Sequence, residues 1–513
     1  MPSREPAGAE HIAGPSLDQL TAARADLVAK VRSLIPSGDV DENQVAANEL
    51  AWTYARVEAA AACDDWAQAT GDPTARAVAG AAIIEALEQL GMRTTLSTIG
   101  RADHLEWIAH NPPPAELGAA PEQRMLRATF RDFARARIAP RAAAIHRDDL
   151  DIPEDIIQGL AELGVFGLSI PEAFGGLRGA ADDFEAMLIV TEELSYVSLA
   201  AGGSLITRPE ILVRALVRAG TLEQKQRWLP AIASGRQLVA VATTEPDFGS
   251  DVAGIRCRAD PAEGGWFVTG TKLWCTFAGR AELLMLLLRT SEAGHRGLSV
   301  FVLEKPAFPG HEFLYAQDTG GVLKGRAIPT IGYRGMHTFE LAFDRFFLPD
   351  SALVGGQDWL NRGFYLQLES FAMGRLQTAG RAVGLMQAAV DSTMRYTNER
   401  VVFGRAISAY GLPKATLGKM VLRLAASRQL SYRAARLVGR GEGQMEASLA
   451  KLYASRAAEQ VTRDAMQLHG GMGYAEETDV SRYFVDARVL SIFEGAEDVL
   501  ALRVIAKSLL RPG

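Results

Sequence analysis

The chain has 513 residues, a formal net charge of -7 at pH 7, and 48% hydrophobic and 22% charged residues. This length allows several domains with a large buried core, and the composition is that of a globular protein. The acidic balance argues against nucleic-acid binding, no apolar run is long enough to span a membrane, and the three cysteines lack the spacing of a zinc site or a disulfide framework. We therefore expect a cytoplasmic protein that binds no nucleic acid, membrane or metal.

Residues 1–110 are predicted to form an N-terminal helical extension. Residues 1–14 are expected to be disordered, and helical periodicity then predicts three helices. These helices begin after Pro15, near Glu42 and at Pro73, and they end before Pro36, near Gln68 and at Gly91. A proline-rich stretch predicts an extended linker over residues 111–121. Because the extension carries no recognisable set of ligand-binding residues, we expect it to pack on the main body or in an oligomer interface.

The remaining chain is predicted to alternate between helical and β-rich parts. Residues 122–237 should form a helical domain with a loop at 168–176, and residues 357–513 are helical almost throughout. Between them, short runs separated by turn residues predict a β domain over residues 238–356. The predicted strands are 238–242, 265–269, 283–288, 298–303 and 339–343, and the long C-terminal helical segments are 361–399, 413–439 and 445–468. The expected fold class is mainly α with a middle β domain.

One carboxylate near the C-terminal end is a candidate general base. Glu494 follows Ile492 and Phe493 and precedes Gly495. Such apolar neighbours desolvate a carboxylate, which raises its pKa toward the range in which a general base works at neutral pH. An isolated Phe-Glu-Gly is more often a carboxylate facing a helix N-terminus. Upstream, three glycines follow the helical run that ends at Gln467, where they can end a helix and let the backbone approach a ligand closely.

Two segments of the predicted β domain have the residues to bind a flat heteroaromatic cofactor. Residues 242–251 place hydroxyls, a proline turn and a glycine at a strand end, where backbone amides and hydroxyls can bind a phosphate or a polar ring edge. Trp274 and Thr276 are two positions apart, so a regular strand would point both to one face. Taken singly, a surface turn and a core tryptophan are the commoner explanations.

Five motifs, in this order, resemble the acyl-CoA dehydrogenase family of flavoenzymes over about residues 122–513. They are Thr244-Glu245-Pro246-Asp247-Phe248-Gly249-Ser250-Asp251, Lys272-Leu273-Trp274-Cys275-Thr276, Asn398-Glu399-Arg400-Val401-Val402-Phe403-Gly404, Gln467-Leu468-His469-Gly470-Gly471 and Phe493-Glu494-Gly495. The resemblance implies FAD as the cofactor, and a helical domain, a β-barrel-like domain and a four-helix-bundle domain after the extension. It also implies α,β-dehydrogenation of an acyl-CoA, with an electron-transferring flavoprotein as acceptor.

The resemblance also implies roles for individual residues. Glu494 matches the base that removes the α-proton of the thioester while the β-hydrogen leaves as hydride to the flavin, and its backbone N–H stabilises the thioester oxygen. The residues matched to the FAD of the same subunit are Thr244 and Thr276 at the flavin ring, Trp274 beside it, and Gly249 and Ser250 near the pyrophosphate. Those matched to the FAD of a neighbouring subunit are Arg400, Phe403, Gln467, Gly470 and Gly471. A homo-oligomer, either a dimer or a tetramer, is therefore expected.

The extension and three further runs resemble members of the family that act on a short, branched dicarboxylyl-CoA. These runs are residues 202–212, 332–336 and 492–496. The far carboxylate of such a substrate needs a cation or several donors when it is buried. Arg208, with Thr207 and Ser204, is the candidate; a solvent-facing or internally paired arginine is the alternative.

Other positions match or depart from the family pattern around CoA and FAD. Arg375 matches a position near the CoA thioester, but Ala372 stands where many members have an acid, which puts one CoA contact in doubt. Three further positions depart from the family pattern. Val485 precedes Asp486 where an arginine is usual, and Ala496 and Asp498 replace the usual threonine and glutamine after the base. Some FAD contacts are therefore expected to differ.

Other functions stay open at this stage. The same fold can act on another short branched acyl-CoA, as in the synthesis of a polyketide extender unit, or it can serve as a flavin oxidase or oxygenase. A flavin-binding scaffold that has lost dehydrogenation is a further alternative, against which the presence of Glu494 argues.

Overall fold

The computed structural model describes residues 17–34, 40–41, 43–90, 95–177 and 184–510. In these ranges the chain is mainly helical with one eight-stranded sheet in its middle part, which confirms the predicted fold class. No helix among the described residues is both long and apolar enough to cross a membrane. The disorder expected for residues 1–14 and the helix end expected at Gly91 lie outside the described residues.

The chain divides into two compact units. The first comprises Met1–Asp132, Phe184–Val197 and Thr378–Gly513, and the second comprises Phe133–Asp183 and Ser198–Gln377. The domain boundaries predicted at residues 111–121, 237–238 and 356–357 stay a prediction.

The N-terminal extension contains the helices α1 (Leu17–Leu34), α2 (Gln44–Thr70), α3 (Pro73–Gln89) and α4 (Thr95–His110). Helix α2 ends at Gly71, whose φ of 63° favours glycine. Helix α3 begins with Pro73 after Asp72, whose carboxylate accepts hydrogen bonds from the backbone N–H groups of Thr74 and Ala75 at 2.8 and 3.1 Å. The sequence does not predict α4, because its threonines and serine have low helix propensity.

The next part of the chain is helical, as predicted, and contains α5 (Pro121–Phe133), α6 (Ala139–Arg147), α7 (Glu154–Glu162), α8 (Phe184–Val197), α9 (Thr207–Ala219) and α10 (Leu222–Ala233). Helix α10 starts with a capping box, in which the Thr221 hydroxyl accepts from the Gln224 N–H at 3.2 Å and the Gln224 side chain accepts from the Thr221 N–H at 3.0 Å. The predicted loop at 168–176 contains one short 3-10 turn, Glu172–Phe174.

The sheet has the strand order β1-β4-β2-β3-β8-β7-β6, and β5 also pairs with β4. Its strands are β1 (Val239–Ala242), β2 (Arg258–Ala262), β3 (Gly265–Thr276), β4 (Leu283–Arg289), β5 (Leu298–Glu304), β6 (Glu312–Ala316), β7 (Val322–Ile328) and β8 (Thr338–Pro349). The five predicted strands are confirmed. The sequence does not predict β2, β6 or β7; Pro261 lies within β2, the exposed positions of β7 are charged, and β6 has only five residues.

Strand β4 lies at the centre of the hydrophobic core of the second unit. All of its residues are buried, and it pairs in parallel with β1 and antiparallel with β5, as expected for a continuous apolar run. Side chains from α9 and α10 pack on the same core. The buried members include Leu212, Leu216, Leu229, Leu283, Met285, Leu287, Val300 and Val302.

The C-terminal part contains α11 (Gly363–Glu399), α12 (Gly411–Gly439), α13 (Gln444–His469), α14 (Gly471–Tyr474), α15 (Asp479–Leu490), α16 (Glu497–Val499) and α17 (Lys507–Leu510). A two-stranded hairpin of β9 (Val401–Val402) and β10 (Arg405–Ala406) separates α11 from α12, and a π-helical segment, Leu500–Ala506, precedes α17. The three long helical segments predicted here are confirmed as α11, α12 and α13.

The N-terminal extension packs on the C-terminal helices within the first unit. Leu50 of α2 is buried in a cluster with Ala506 and Leu510. Ala51 and Ala55 of the same helix pack in a second cluster; its other members are Leu449, Leu452, Ala501 and Ile505. This packing agrees with the structural role expected for the extension.

Candidate active site

Glu494 lies in the first unit, in the turn between α15 and α16. The backbone N–H groups of Ile492 and Phe493 both donate to the carbonyl of Val489, at 2.9 and 3.1 Å, and the chain then turns sharply. This turn uses a φ of 54° at Glu494 and of 98° at Gly495. A left-handed backbone at a residue with a long side chain is uncommon and is found preferentially at functional sites.

One oxygen of the Glu494 carboxylate lacks a hydrogen-bond partner among the described residues. Its Oε2 atom is buried and accepts no hydrogen bond from any residue that the structure describes. The backbone N–H of Glu494 likewise donates to no described acceptor. Both a carboxylate oxygen and an N–H donor are therefore left available for a bound molecule, as the role of a base and of an oxygen-stabilising donor requires.

Two buried cations hold this turn in place. Lys451 of α13 is fully buried and donates from Nζ to the carbonyl of Gly495 at 2.6 Å. Arg381 of α11 is also fully buried, and its guanidinium lies 4.6 Å from the ring centroid of Phe493. Neither residue is predicted from the sequence. The feature that could have indicated them is a single cationic side chain in a stretch of a long helix that otherwise contains apolar and small residues.

The 244–251 segment lies in the second unit and is anchored through Glu245. The buried Glu245 carboxylate accepts hydrogen bonds from the backbone N–H groups of Arg256 and Cys257, at 2.6 and 2.9 Å. It also pairs with Lys272, whose Nζ lies 2.8 Å from Glu245 Oε1 and 3.0 Å from the carbonyl of Thr243. These contacts hold the turn through its buried side, and Gly249 and Ser250 remain exposed to solvent. The sequence assigns no role to Glu245 or Lys272, although both lie within the matched motifs.

Strand β3 is irregular where it carries the candidate flavin residues. Its register with β8 shifts between Lys272 and Cys275, and Trp274 takes a φ of 59°. Trp274 is 55% exposed, whereas Thr276 is buried and its Oγ1 lies 3.1 Å from Oγ1 of Thr338. The strand is therefore not regular at Trp274, as the expectation that Trp274 and Thr276 point to one face requires, because Trp274 lies within a β-bulge.

The residues of this segment fit FAD. Trp274 offers a large exposed aromatic surface, and the buried Thr243 Oγ1 has no hydrogen-bond partner among the described residues. The exposed Gly249-Ser250 turn can approach a pyrophosphate closely, and Thr244 is half-buried beside it. An aromatic surface, an unsatisfied hydroxyl and a glycine turn are groups that can bind a flavin dinucleotide.

The residues matched to a neighbouring subunit all lie on the surface of the first unit. They are Arg400, Phe403, Gln467, Gly470 and Gly471. Phe403 is 98% exposed at the tip of the β9–β10 hairpin, where φ is 47° at Phe403 and 80° at Gly404. Positive φ at both turn residues is typical of a tight two-residue hairpin, which holds the ring outward. Gly470 ends α13 with φ 60° and ψ -137°, a conformation that favours glycine.

Arg208 lies at the start of α9 in the second unit and is neither solvent-facing nor paired with a described carboxylate. It is 5% exposed, and its Nη1 donates to the Tyr333 hydroxyl at 2.9 Å and to the carbonyl of Ser204 at 3.3 Å. The neighbouring Thr207 Oγ1 is buried and has no hydrogen-bond partner among the described residues. A buried cation and a buried hydroxyl next to a helix N-terminus form a setting that favours an anion. Arg375 is half-buried on α11.

Comparisons with known proteins agree with these features. Three family models match: "Acyl-CoA dehydrogenase, N-terminal domain" at residues 120–236, "middle domain" at 240–346 and "C-terminal domain" at 361–510. The chain is 41% identical over 419 residues to (2S)-methylsuccinyl-CoA dehydrogenase of Cereibacter sphaeroides, covering 80% of this chain and 74% of that one. It is 34% identical to an acyl-CoA dehydrogenase of Bacillus subtilis, covering 76% and 98%.

Solved structures give the same result. Butyryl-CoA dehydrogenase from Megasphaera elsdenii matches with a TM-score of 0.70 and 26% identity, covering 76% of this chain and 99% of that one. A glutaryl-CoA dehydrogenase in complex with glutaryl-CoA matches with a TM-score of 0.70 and 29% identity, covering 76% and 96%. The chain therefore belongs to the acyl-CoA dehydrogenase family and is an FAD-dependent oxidoreductase that acts on CH–CH bonds of acyl-CoA substrates.

Proposed function

We propose that the protein dehydrogenates (2S)-methylsuccinyl-CoA to mesaconyl-CoA. The observation that carries this proposal is Arg208, a buried cation that pairs with no described carboxylate and lies beside the unsatisfied hydroxyl of Thr207. The 41% identity to an enzyme named for this substrate supports it. The substrate class follows from charge, because a buried guanidinium is matched best by an anion.

One edge of the Arg208 guanidinium is available to bind a carboxylate. Both of its hydrogen bonds come from Nη1, so Nε and Nη2 donate to no described residue. These two groups form one edge of the guanidinium and can bind both oxygens of a carboxylate. Tyr333 holds the other side of the guanidinium at 2.9 Å and fixes the plane in which the substrate carboxylate would lie. Ser204 and Thr207 complete the proposed carboxylate site, and Arg375 is proposed to lie near the CoA thioester.

Glu494 is the proposed base for the α-proton. Its buried Oε2 lacks a hydrogen bond, so proton abstraction breaks no existing contact of that oxygen. Lys451 and Arg381 hold the turn, and the free N–H of Glu494 stabilises negative charge on the thioester oxygen. Bound FAD supplies the acceptor for the hydride that leaves the β-carbon.

The proposed FAD site uses residues from more than one subunit. Within one chain, Thr244 and Thr276 bind the flavin ring, Trp274 lies beside it, and Gly249 and Ser250 bind the pyrophosphate. The exposed residues of a second chain complete the site; they are Arg400, Phe403, Gln467, Gly470 and Gly471. The protein is accordingly proposed to be a cytoplasmic homo-oligomer that passes electrons to an electron-transferring flavoprotein.

The test is anaerobic reduction of the bound flavin by three acyl-CoA thioesters. We expect (2S)-methylsuccinyl-CoA to bleach the flavin absorbance rapidly, and butyryl-CoA and isobutyryl-CoA to do so slowly. Glu494→Gln, which keeps the size of the side chain and removes the base, should abolish bleaching by all three. Equal or faster bleaching by the uncharged thioesters would favour the alternative substrate class. Rapid reoxidation by oxygen without an added acceptor would instead favour an oxidase.

An arginine variant tests the carboxylate site directly. Loss of the charge partner of a buried carboxylate costs about 2–5 kcal/mol, so Arg208→Met should lower kcat/KM for methylsuccinyl-CoA by about two to three orders of magnitude. The same variant should change kcat/KM for butyryl-CoA by less than about threefold. Arg218→Met on the same helix is the matched control, because Arg218 is exposed and pairs with Glu369 at 3.5 Å. Equal losses with both substrates would refute the assignment.

A further inference from the structure

Two histidines and an aspartate meet at one edge of the sheet, all within the second unit. His311 directly precedes β6, and His337 directly precedes β8. Strand β7 lies between β6 and β8 and is antiparallel to both, so β6 and β8 begin at the same edge. Asp149 lies in the loop that follows α6. The strand order thus brings His311 and His337 together, and the loop after α6 adds Asp149 from a distant part of the chain.

The distances within this cluster are those of ligands around a single ion. His311 Nε2 lies 3.3 Å from Asp149 Oδ2, and His337 Nε2 lies 3.4 Å from Asp149 Oδ1. The two imidazole rings are 4.1 Å apart between centroids, and one ligand atom of each residue lies within 4.8 Å of the others. Zinc ligands at their usual bond lengths are about 3.4 Å apart in a tetrahedral site.

The hydrogen-bond environment of His337 calls for a cation. Its Nδ1 lies 3.0 Å from Asp151 Oδ1, and its Nε2 lies 3.1 Å from the carbonyl oxygen of Asp149. Every one of these neighbours is an acceptor, yet a neutral imidazole carries a single N–H. One ring nitrogen therefore faces oxygen with its lone pair unless a proton or a metal ion lies between them. A histidine whose second nitrogen is held by a carboxylate is the usual arrangement around a protein-bound metal.

The backbone of the cluster is strained and firmly held. Asp149 has a φ of 49° and His337 a φ of 39°, so two of the three candidate ligands have left-handed backbone. The carbonyl of His337 accepts from the Phe277 N–H at 2.8 Å, and that of His311 accepts from the Ala327 N–H at 2.7 Å. Asp151 in turn accepts from the Gly310 N–H at 2.8 Å. Such contacts fix the candidate ligands before any ion binds.

A cavity of about 190 Å³ opens beside the three side chains, which form part of its wall. Two cations on the same wall have other partners: Arg326 lies 3.6 Å from Glu312, and Arg334 donates to the carbonyl of Thr330 at 2.9 Å. The cavity gives an ion a path from solvent and room for water molecules as further ligands.

We propose that Asp149, His311 and His337 bind one divalent transition-metal ion of the zinc type, with Asp151 positioning the His337 ring. Two imidazoles and one carboxylate suit zinc and its neighbours, whereas magnesium prefers an octahedron of oxygen ligands. The ion would tie the loop after α6 to the starts of β6 and β8. Its proposed role is structural, because an ion that binds the folded state and not the unfolded state stabilises the folded state. The sequence predicts no metal site, since the ligands follow no local spacing.

The experiment uses the full-length, FAD-loaded protein after treatment with EDTA and removal of the chelator. Zinc is then titrated by calorimetry, and retained metal is counted by elemental analysis after gel filtration. We expect one zinc ion per chain and a Tm that rises with zinc and not with magnesium. His311→Ala and Asp149→Asn should each weaken zinc binding at least tenfold and abolish the rise in Tm. Asparagine tolerates the positive φ of position 149, so this variant keeps the backbone.

His110→Ala is the matched control, because His110 is exposed on α4 outside the cluster and its removal should leave zinc binding unchanged. The proposal is overturned if the wild-type protein retains no zinc. It is equally overturned if both cluster variants retain as much zinc as the wild-type protein, which would place the ion elsewhere. Flavin reduction by acyl-CoA is measured separately, so either result leaves the proposed reaction to its own test.

Discussion

The ion pair between Lys272 and Glu245 is the residue-scale feature that holds the 244–251 segment. Lys272 is fully buried, and Glu245 is 6% exposed. The contribution of the ion pair to stability depends on the neighbouring hydrogen bonds, since the Glu245 carboxylate also accepts from two backbone N–H groups. Removing one member leaves a charge buried without its partner, which costs far more than an exposed ion pair is worth.

Lys272→Met should therefore destabilise the protein by about 3–5 kcal/mol and reduce the FAD content of the purified protein. Urea unfolding gives the free energy, and the ratio of flavin to protein absorbance gives the FAD content. Arg258→Met is the control, since the exposed Arg258 pairs with Asp260 at 3.2 Å on the surface and should cost about 1 kcal/mol or less. A Lys272→Met protein as stable as this control would show that the pair does not anchor the segment.

His469 provides a second residue-scale feature, at the end of α13 beside Gly470. It is 4% exposed, stacks on Tyr396 with 4.3 Å between ring centroids, and its Nδ1 lies 2.8 Å from the carbonyl of Ala465. Burial lowers the pKa of His469 below its ordinary value of 6.5, because it disfavours the charged imidazolium.

The folded state then binds fewer protons than the unfolded state as the pH falls below 6.5. The contribution of His469 to stability is complete above that pH and is lost as the pH falls toward its lowered folded pKa. We expect the free energy of unfolding to decrease from pH 7 to pH 5, with a smaller decrease in His469→Gln. Chemical unfolding across this pH range gives the measurement. His110→Gln should behave like the wild-type protein, and a His469→Gln profile parallel to the wild-type one would contradict the argument.

At the scale of elements, the N-terminal extension contributes to the core around the C-terminal helices. Trp52 of α2 lies 4.5 Å from the guanidinium of Arg456 on α13, measured to the ring centroid. Arg456 also forms an ion pair with Glu497, which begins α16 three residues after Glu494. The extension is thus joined through one arginine to the turn that carries the proposed base.

Leu50→Ala should destabilise the protein by about 2–5 kcal/mol, because Leu50 is 1% exposed and packs with Ala506 and Leu510. The control is Val45→Ala on the same helix, whose side chain is 75% exposed, and it should change stability by about 0.5 kcal/mol or less. Equilibrium unfolding in urea compares the two. A Leu50→Ala protein that unfolds like the control would mean that the extension folds independently of the C-terminal helices.

Element type was predictable from sequence where local pattern decides it, and not where pairing across the chain decides it. Helices α11, α12 and α13 follow from apolar periodicity alone. Strand β7 pairs with β8, and β6 pairs with β7, so both become strands through contacts with distant parts of the chain. The bulge at Trp274 likewise depends on the register between β3 and β8.

The same distinction holds for the candidate site. Glu494 and the 244–251 segment stand out as local motifs, whereas Lys451, Arg381 and Tyr333 act through contacts with residues far away in the sequence. The cluster of Asp149, His311 and His337 is an extreme case, because its members come from the loop after α6 and from the starts of two strands.

At the scale of the whole molecule, the 98% exposed ring of Phe403 at the hairpin tip fits the proposal that it contacts a second subunit, since it contributes no buried surface to its own chain. Phe403→Ser should lower FAD retention and shift the protein toward smaller assemblies. Light scattering after gel filtration and the flavin-to-protein ratio measure both effects. Met125→Ser, at a 69% exposed position of α5, should change neither. An unchanged assembly with full FAD content would remove Phe403 from the proposed shared site.

The backbone at Glu494 has a consequence for how this protein can change. A φ of 54° costs less free energy for glycine or asparagine than for glutamate. Selection for thermal stability alone would therefore favour replacing Glu494, the residue that we propose as the base. Lys451 and Arg381 offset that local penalty from their buried positions. Activity and robustness therefore compete at this single position, and stabilising substitutions are best sought elsewhere in the chain.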